Sequence, residues 1–213
     1  MRLYNYFRSS ASYRVRIALN LKKLRYDYVP VHLMRGGGGQ FSAEFSGLNP
    51  QGLVPVLEDD GLVLTQSLAI IEYLDELHPE PPLLPSDAAG RARVRSLALH
   101  VACEIHPLNN LRVLQTLRRD FGLDDTATRR WYQRWIRVGL EALEVRLAEA
   151  PQGRFCHGDA PGLADICLVP QLFNARRYDC DLDRYPRLLA IEAACQELPA
   201  FAAAHPARQP DAE

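Results

Sequence analysis

Between His78 and Asp87 four prolines, Pro79, Pro81, Pro82 and Pro85, stand within a few residues of one another, and no regular element can run through them. Proline lacks the amide donor and its ring clashes with the preceding turn, so both a helix and a central strand are excluded there. The two sides of this break differ in periodicity. Upstream, short alternating apolar runs are interleaved with helical ones. Downstream, the 3.6-residue spacing dominates: Val94, Leu97, Ala98, Val101 and Ile105, then Leu111, Leu114 and Leu117, then Trp135, Ile136, Leu140, Leu143 and Leu147. The sequence therefore predicts a mixed domain over residues 1–83 and an all-helical domain over 84–213. With 47% hydrophobic content in 213 residues, the chain can bury a core in each.

Within the first domain, alternation over Leu3 to Phe7 predicts a short strand. Arg8-Ser9-Ser10-Ala11-Ser12 then offers several hydroxyl caps for a helix running from about Tyr13 to Leu21. Tyr26, Tyr28, Val29, Val31 and Leu33 predict a second strand, which completes a β-α-β unit. Gly36 to Gly39 is too uniform for a dinucleotide fingerprint and lacks the Lys-Ser/Thr of a phosphate loop, so a mobile loop is expected. Val54 to Glu58 and Leu62 to Leu64 flank the turn Asp59-Asp60-Gly61 and read as an antiparallel hairpin. Ser67 is placed to cap an amphipathic helix containing Leu68, Ile70, Ile71, Leu74 and Leu77. The order β-α-β, then α, then β-β-α, followed by helices alone, is an α/β thioredoxin-like domain joined to an all-α domain. Such an architecture does not by itself name a function.

Charge and cysteine usage narrow the classes. Lys and Arg total 25 against 26 for Asp and Glu, so no polyanion partner is indicated and nucleic acid is not expected. The first residues contain no leader-like apolar core, and no stretch reaches the roughly 18 apolar residues of a membrane span, so a soluble cytoplasmic protein is expected. Cys103, Cys156, Cys167, Cys180 and Cys195 are odd in number and contain no Cys-x-x-Cys pair. They predict reduced, mostly buried thiols, with neither a disulfide framework nor a metal site.

Specificity appears at Phe7-Arg8-Ser9-Ser10-Ala11-Ser12-Tyr13-Arg14-Val15-Arg16-Ile17-Ala18-Leu19, which resembles the N-terminal signature of zeta-class glutathione transferases. Further matching stretches follow in the family's order: Leu48-Asn49-Pro50-Gln51, Val54-Pro55, Gln66 to Leu74, His106-Pro107-Leu108-Asn109-Asn110, Ala164 to Gln171, and Arg208-Gln209-Pro210-Asp211. The likeness covers essentially the whole chain. It implies the glutathione transferase fold, glutathione as cofactor, a glutathione-binding first domain, a substrate-binding second domain and a homodimer.

By the same resemblance Ser9 aligns with a serine that activates the glutathione thiol, and Ser10 and Ala11 line the same pocket. Read locally, Ser9, Ser10 and Ser12 are helix caps. Ala11 stands where many relatives carry a cysteine, so a mechanism that needs that thiol does not apply here. Val54-Pro55 resembles the cis-proline junction at which the Val54 main chain pairs with glutathione, although an isolated Val-Pro bond is trans about nineteen times in twenty. Gln66 and Ser67 match the site of the γ-glutamyl end, where a helix N-terminus can hold a carboxylate; simple capping is the competing reading. Gln40 and Gln51 align with further glutathione contacts and, read alone, are solvated loop amides.

In the second domain His106 and Asn110 fall at i and i+4 and so share a helix face, with Arg112 off that face. The resemblance turns His106, Asn110 and Arg112 toward the glutathione and substrate cavity; a break at Pro107 with a solvated Arg112 is the bland alternative. Arg177 aligns with an arginine that binds a substrate carboxylate, with Arg176 as runner-up and Arg8 as a second anchor, a role suited to a planar guanidinium fork. Otherwise an exposed arginine pair is ordinary surface charge. Asp165 resembles the capping-box acid of the family, with Gly162 at the cap.

The implied activity is glutathione-dependent cis-trans isomerisation of maleylacetoacetate to fumarylacetoacetate. Ser9 and Ser10 would serve the thiolate and Arg177 the acid end of this small maleyl diketo acid. Maleylpyruvate is the rival substrate, and a non-catalytic glutathione-binding or protein-interaction module is the alternative of another class.

Overall fold

The structure is a computed structural model and describes residues 1–149 and 153–213. Along the chain come β1 (Arg2–Asn5), α1 (Ser10–Leu21), β2 (Asp27–Pro30), α2 (Ala43–Leu48), β3 (Val56–Asp59), β4 (Leu62–Thr65) and α3 (Ser67–Leu77). After the proline segment follow α4 (Ala88–Leu99), α5 (Leu111–Arg119), α6 (Asp125–Ala148), α7 (Leu163–Arg177), α8 (Pro186–Gln196) and α9 (Pro199–Ala204). Packing gathers these into two units, one of Met1–Pro82 with Glu197–Glu213 and one of Leu83–Gln196. The proline break coincides with the change of unit near residue 82, but the segment 197–213 packs with the first unit although it lies in the second half of the chain.

In the first unit the sheet order is β2-β1-β3-β4, with β1 parallel to β2 and antiparallel to β3, and β3 antiparallel to β4. α1 is the crossover that a parallel β1–β2 pair requires. Leu3 lies opposite Leu57, and both are fully buried, which fixes the register because a one-residue slip would turn them to the other face. The second strand is shorter than its alternation suggests. It ends at Pro30, which has no amide to continue the ladder. The glycine run is not an open loop either: Arg35–Gly37 and Gly39–Phe41 form two 3-10 turns, with Gly36, Gly37 and Gly38 at φ of 58°, 82° and 99°, a conformation open chiefly to glycine.

α1 is buried nearly all round, between α3 and α9. Its apolar residues Val15, Ile17, Ala18 and Leu19 are joined by two buried arginines, Arg14 and Arg16. Lys22, just past its end, donates to Asp75 Oδ1 at 2.5 Å, to the His78 carbonyl at 2.6 Å and to the Pro81 carbonyl at 2.6 Å. Three donors thus meet three acceptors, which makes burial of the ammonium tolerable and anchors the start of the proline segment. From the chain's far end, the Ala200 carbonyl accepts from Asn20 Nδ2 at 2.9 Å and the Ala204 carbonyl from Arg16 Nε at 3.2 Å, which docks α9 onto α1.

In the second unit α7 is the central helix, buried from Leu163 through Leu172. Asp165 lies at its third position. Its Oδ2 accepts from the Gly162 amide at 2.9 Å and its Oδ1 from the Cys156 amide at 2.8 Å. The carboxylate therefore serves both the helix start and the preceding loop, as the capping-box reading expects. Burial raises its pKa, and the two amides pull the other way. The apolar face over Val94, Leu97, Ala98, Val101 and Ile105 is buried throughout, but its backbone widens to a π-type turn at His100–Ile105 and tightens to a 3-10 turn at Pro107–Asn109. Cys156, Cys167 and Cys195 are buried, Cys180 is half-buried and Cys103 is exposed, and none is in a disulfide.

Candidate functional site

The strand β1 ends at Asn5 and α1 begins at Ser10, so Tyr6 to Ser9 form a short link that aims its last residue at a helix N-terminus. Ser9 is the N-cap. Its amide donates to the Tyr6 carbonyl at 3.0 Å, its carbonyl accepts from Tyr13, and its Oγ accepts from the Ser12 amide at 3.2 Å. A hydroxyl that accepts in this way still has its own hydrogen to give. The capping reading and the activating reading of Ser9 are therefore compatible, because they use opposite ends of one O–H group. No acidic residue lies in the first turn of this 12-residue helix, so its positive end is not neutralised from within. Ser9 and Ala11 are half-buried, and Ser10 is buried as the first helical residue.

Tyr6 and Phe7 pack in one apolar cluster with Val31, Phe45, Val54 and Val56, which places Val54 and the serine-bearing link on the same support. The Val54-Pro55 peptide is cis, as the motif led one to expect. Asn49 folds the approach to it: its side chain donates to the Leu53 carbonyl at 2.7 Å and accepts from the Gln51 amide at 3.0 Å.

Ser67 is not the cap of α3 but its first helical residue; the cap is Gln66, at φ 69° and without a side-chain bond to the helix. A non-glycine residue held there stores backbone strain of about 1 to 3 kcal/mol, a feature that clusters at ligand-holding sites. Its side-chain amide donates to Gln51 Oε1 at 3.1 Å. Ser67 Oγ accepts from the buried Arg14 guanidinium at 3.3 Å, so this hydroxyl too has a hydrogen to offer outward. Gln51 is exposed, in keeping with a solvated loop amide, but Gln40 is not: it is 5% exposed and donates to the Leu33 carbonyl at 3.3 Å, so it braces the loop of 3-10 turns.

Arg14, Arg16, Asn49 and Asp211 were not singled out from sequence, yet each holds part of this site. Arg16 is the most connected. Its NH1 donates to Asn5 Oδ1 at 2.9 Å and toward the Tyr6 carbonyl at 3.4 Å, and its NH2 donates to the Phe7 carbonyl at 2.8 Å. Burial lowers its pKa, and the nearby tyrosines and Asp211 oppose that. The available signal was two arginines two residues apart inside an apolar helix. Two residues apart, they leave a helix about 200° from each other, so at least one of them has to be buried when both faces of the helix are covered.

The second unit corrects one sequence inference. His106 and Asn110 do not share a helix face, because Asn110 adopts ψ 148° and breaks the chain direction before α5. Asn110 is instead the N-cap, its Oδ1 accepting from the Arg112 amide at 3.2 Å, while Arg112 is exposed in the first turn and His106 is half-buried at the 3-10 turn. Arg176 is also accounted for. Its guanidinium forms a two-pronged pair with the buried Glu192, NH1 to Oε1 at 2.6 Å and NH2 to Oε2. Arg177 is exposed, with its guanidinium 5.7 Å from the centre of the Tyr178 ring. Arg8 is half-buried, 5.5 Å from the Phe7 ring and 5.8 Å from the Tyr6 ring.

A four-stranded mixed sheet with α1 as its crossover, a hydroxyl cap at the start of that helix, and a separate helical unit are together the architecture of a thioredoxin-like domain joined to a helical one, as in glutathione transferases. The family models agree: residues 3–82 match the glutathione S-transferase N-terminal domain and residues 130–194 match its C-terminal domain. The chain is 54% identical over 210 residues to a probable maleylacetoacetate isomerase of Vibrio cholerae, covering 99% of this chain and 97% of the relative. Among solved structures it is similar to the holo form of a maleylpyruvate isomerase described as a bacterial zeta-class glutathione S-transferase, at 51% identity and a TM-score of 0.97 over all of both chains. It is likewise similar to a maleylacetoacetate isomerase of Anaeromyxobacter dehalogenans 2CP-1 solved with dicarboxyethyl glutathione and citrate in its active site. That match has 48% identity and a TM-score of 0.88, covering 100% of this chain and 93% of the other. The chain belongs to the glutathione S-transferase family. Within it, the chain is a zeta-class member of the maleylacetoacetate and maleylpyruvate isomerase group.

Proposed function

We propose that this protein is a glutathione-dependent isomerase that converts maleylacetoacetate to fumarylacetoacetate. Near-full-length similarity to proteins named for that reaction supports the substrate, and the geometry of Ser9 carries the chemistry. Glutathione supplies a sulfur that, as thiolate, adds reversibly to the cis double bond, so that the bond rotates as a single bond before the sulfur leaves.

The residues present fit that cofactor. The Ser9 hydroxyl accepts from the Ser12 amide and has its hydrogen left to donate to an anionic sulfur, and the positive end of α1 adds to the same stabilisation. The Ser67 hydroxyl, backed by Arg14, and the first turn of α3 suit a carboxylate, here the γ-glutamyl end, beside Gln66 and Gln51. Val54 offers its main chain beside the cis-proline. Ser10 and Ala11 complete the start of α1. Gln40 contributes by fixing its loop.

Arg177 is assigned the role of carboxylate anchor that the family resemblance implies, and Arg176 is held by Glu192. Arg8, next to Ser9, is assigned to attract the anionic substrate, and His106, Asn110 and Arg112 are assigned to the helical unit's part in ligand binding. We further assign the protein to the cytoplasm as a homodimer, the state that the family resemblance implies. The deciding experiment is an isomerisation assay on maleylacetoacetate and on maleylpyruvate, with and without glutathione. Turnover of maleylacetoacetate that disappears without glutathione is expected. Preference for maleylpyruvate would reassign the substrate, and no glutathione-dependent turnover of either would end the isomerase reading.

A further inference from the structure

The backbone of Phe7 is held at both its amide and its carbonyl. Its carbonyl accepts from Arg16 NH2 at 2.8 Å, and its amide donates to Asp211 Oδ2 at 3.1 Å. The other oxygen of Asp211 accepts from the Tyr28 hydroxyl on β2. Phe7 is the second residue of the four-residue link from β1 to α1, two residues before Ser9, and is itself 5% exposed. The Tyr6 carbonyl on its other side accepts from the Ser9 amide at 3.0 Å and faces Arg16 NH1. One clamp arm thus comes from the helix that Ser9 caps and the other from a residue 204 positions later in the chain.

We propose that Asp211 is a positioning residue for Ser9: by holding the Phe7 amide against β2 it fixes the link so that the Ser9 hydroxyl stays at the N-terminus of α1. A carboxylate suits this place because it accepts two hydrogen bonds at once and faces the buried charge of Arg16. With Asp211 removed, the Phe7 amide loses this acceptor, while the Phe7 carbonyl keeps Arg16 and the Tyr6 and Phe7 side chains keep their apolar packing. The proposal rests on the reading of Ser9 as the thiol-activating group.

The test compares Asp211→Ala, Asp211→Asn and Ser9→Ala with the wild type. One readout is hydrogen–deuterium exchange of the protein without glutathione. The other is the pH midpoint at which the thiol of bound glutathione ionises, followed by thiolate ultraviolet absorbance. Asp211→Ala is expected to speed exchange at Phe7 to Ser9 by about tenfold, leaving α3 and the second unit unchanged. It is also expected to raise the thiol midpoint by roughly half a unit or more. Asp211→Asn is expected to restore both, since its carbonyl can accept from Phe7 and its amide can donate to the Tyr28 oxygen. Wild-type exchange and midpoint in Asp211→Ala, with Ser9→Ala raising the midpoint, would overturn the clamp alone. Faster exchange spread evenly over the first unit would assign Asp211 to stability and also overturn it. A wild-type midpoint no lower than that of free glutathione would overturn the clamp and the Ser9 reading together.

Discussion

On the role proposed for Ser9, Ser9→Ala removes two hydrogen bonds of different kinds, one observed and one to the bound thiolate, and their sizes can be separated. The accepted bond from the Ser12 amide, 3.2 Å long, is an N-cap, whose loss to alanine costs about 1 kcal/mol of stability. The donated bond is to an anionic sulfur, and bonds to charged groups contribute roughly 1.5 to 3 kcal/mol. At about 1.36 kcal/mol per unit this raises the bound thiol's pKa by roughly 1 to 2 units, toward the lower figure because Ser9 is only half-buried. Ser9→Gly divides the two effects. Glycine is a nearly adequate cap, costing only a few tenths of a kcal/mol, but it has no hydroxyl. Urea unfolding should therefore rank wild type and Ser9→Gly together above Ser9→Ala, whereas ultraviolet titration of bound glutathione should raise the midpoint equally in both variants. Ser9→Asp, a good cap with a negative charge, should keep the stability and raise the midpoint furthest. A midpoint in Ser9→Ala equal to the wild type, or one restored by glycine, would refute the assignment of thiol activation to this hydroxyl.

Lys22→Met leaves the Asp75 carboxylate and two carbonyls without their buried cation, and should cost about 3 to 5 kcal/mol in urea unfolding; a loss below about 1 kcal/mol would show the ammonium to be dispensable. The neighbouring arginines should part company: Arg176→Ala should lower the unfolding midpoint by stranding Glu192 while leaving KM near wild type, and Arg177→Ala should raise KM for the diketo acid. Asp87 caps α4, and its bond from the Gly90 amide holds its pKa below the ordinary 3.8. A lowered folded-state pKa means that its contribution is present above 3.8 and is lost as pH falls through the folded value. Asp87→Asn, an equal cap without a charge, should show a weaker loss of melting temperature under acid.

What the sequence disclosed were features written locally. The proline break, the β-α-β opening, the hairpin around Asp60 and the capping acid Asp165 depend on neighbours a few residues away, and each is present in the structure. The bend at Val54-Pro55 was legible only through the family motif. Inferences that assumed an unbroken helix did less well. Through His106 and Asn110 the apolar spacing persists while the backbone passes from a π-type to a 3-10 turn, and Ile105, at the end of the π-type turn, packs so closely on Gly139 of α6 that a side chain at 139 would have no space. Ser67 has the composition of a cap, yet the chain turns one residue earlier at Gln66, and Ser67 answers Arg14 instead. The buried arginines were hard to read for a related reason: Arg14 donates to Ser67, 53 residues away, and Arg16 donates to the Ala204 carbonyl, 188 residues away, as well as to the nearer Asn5 and Phe7. The distant partners lie outside any local window.

The return of residues 197–213 to the unit built by the first 82 has a consequence for biosynthesis. As the polypeptide leaves the ribosome, α1 emerges early but must wait for the Ala200 and Ala204 carbonyls that receive Asn20 and Arg16, and for Asp211, while the intervening helices have all their sequence available sooner. The half that emerges first is thus the half finished last, and a nascent chain halted near residue 196 would hold the whole sequence of its helical unit while its first unit still lacked α9 and Asp211.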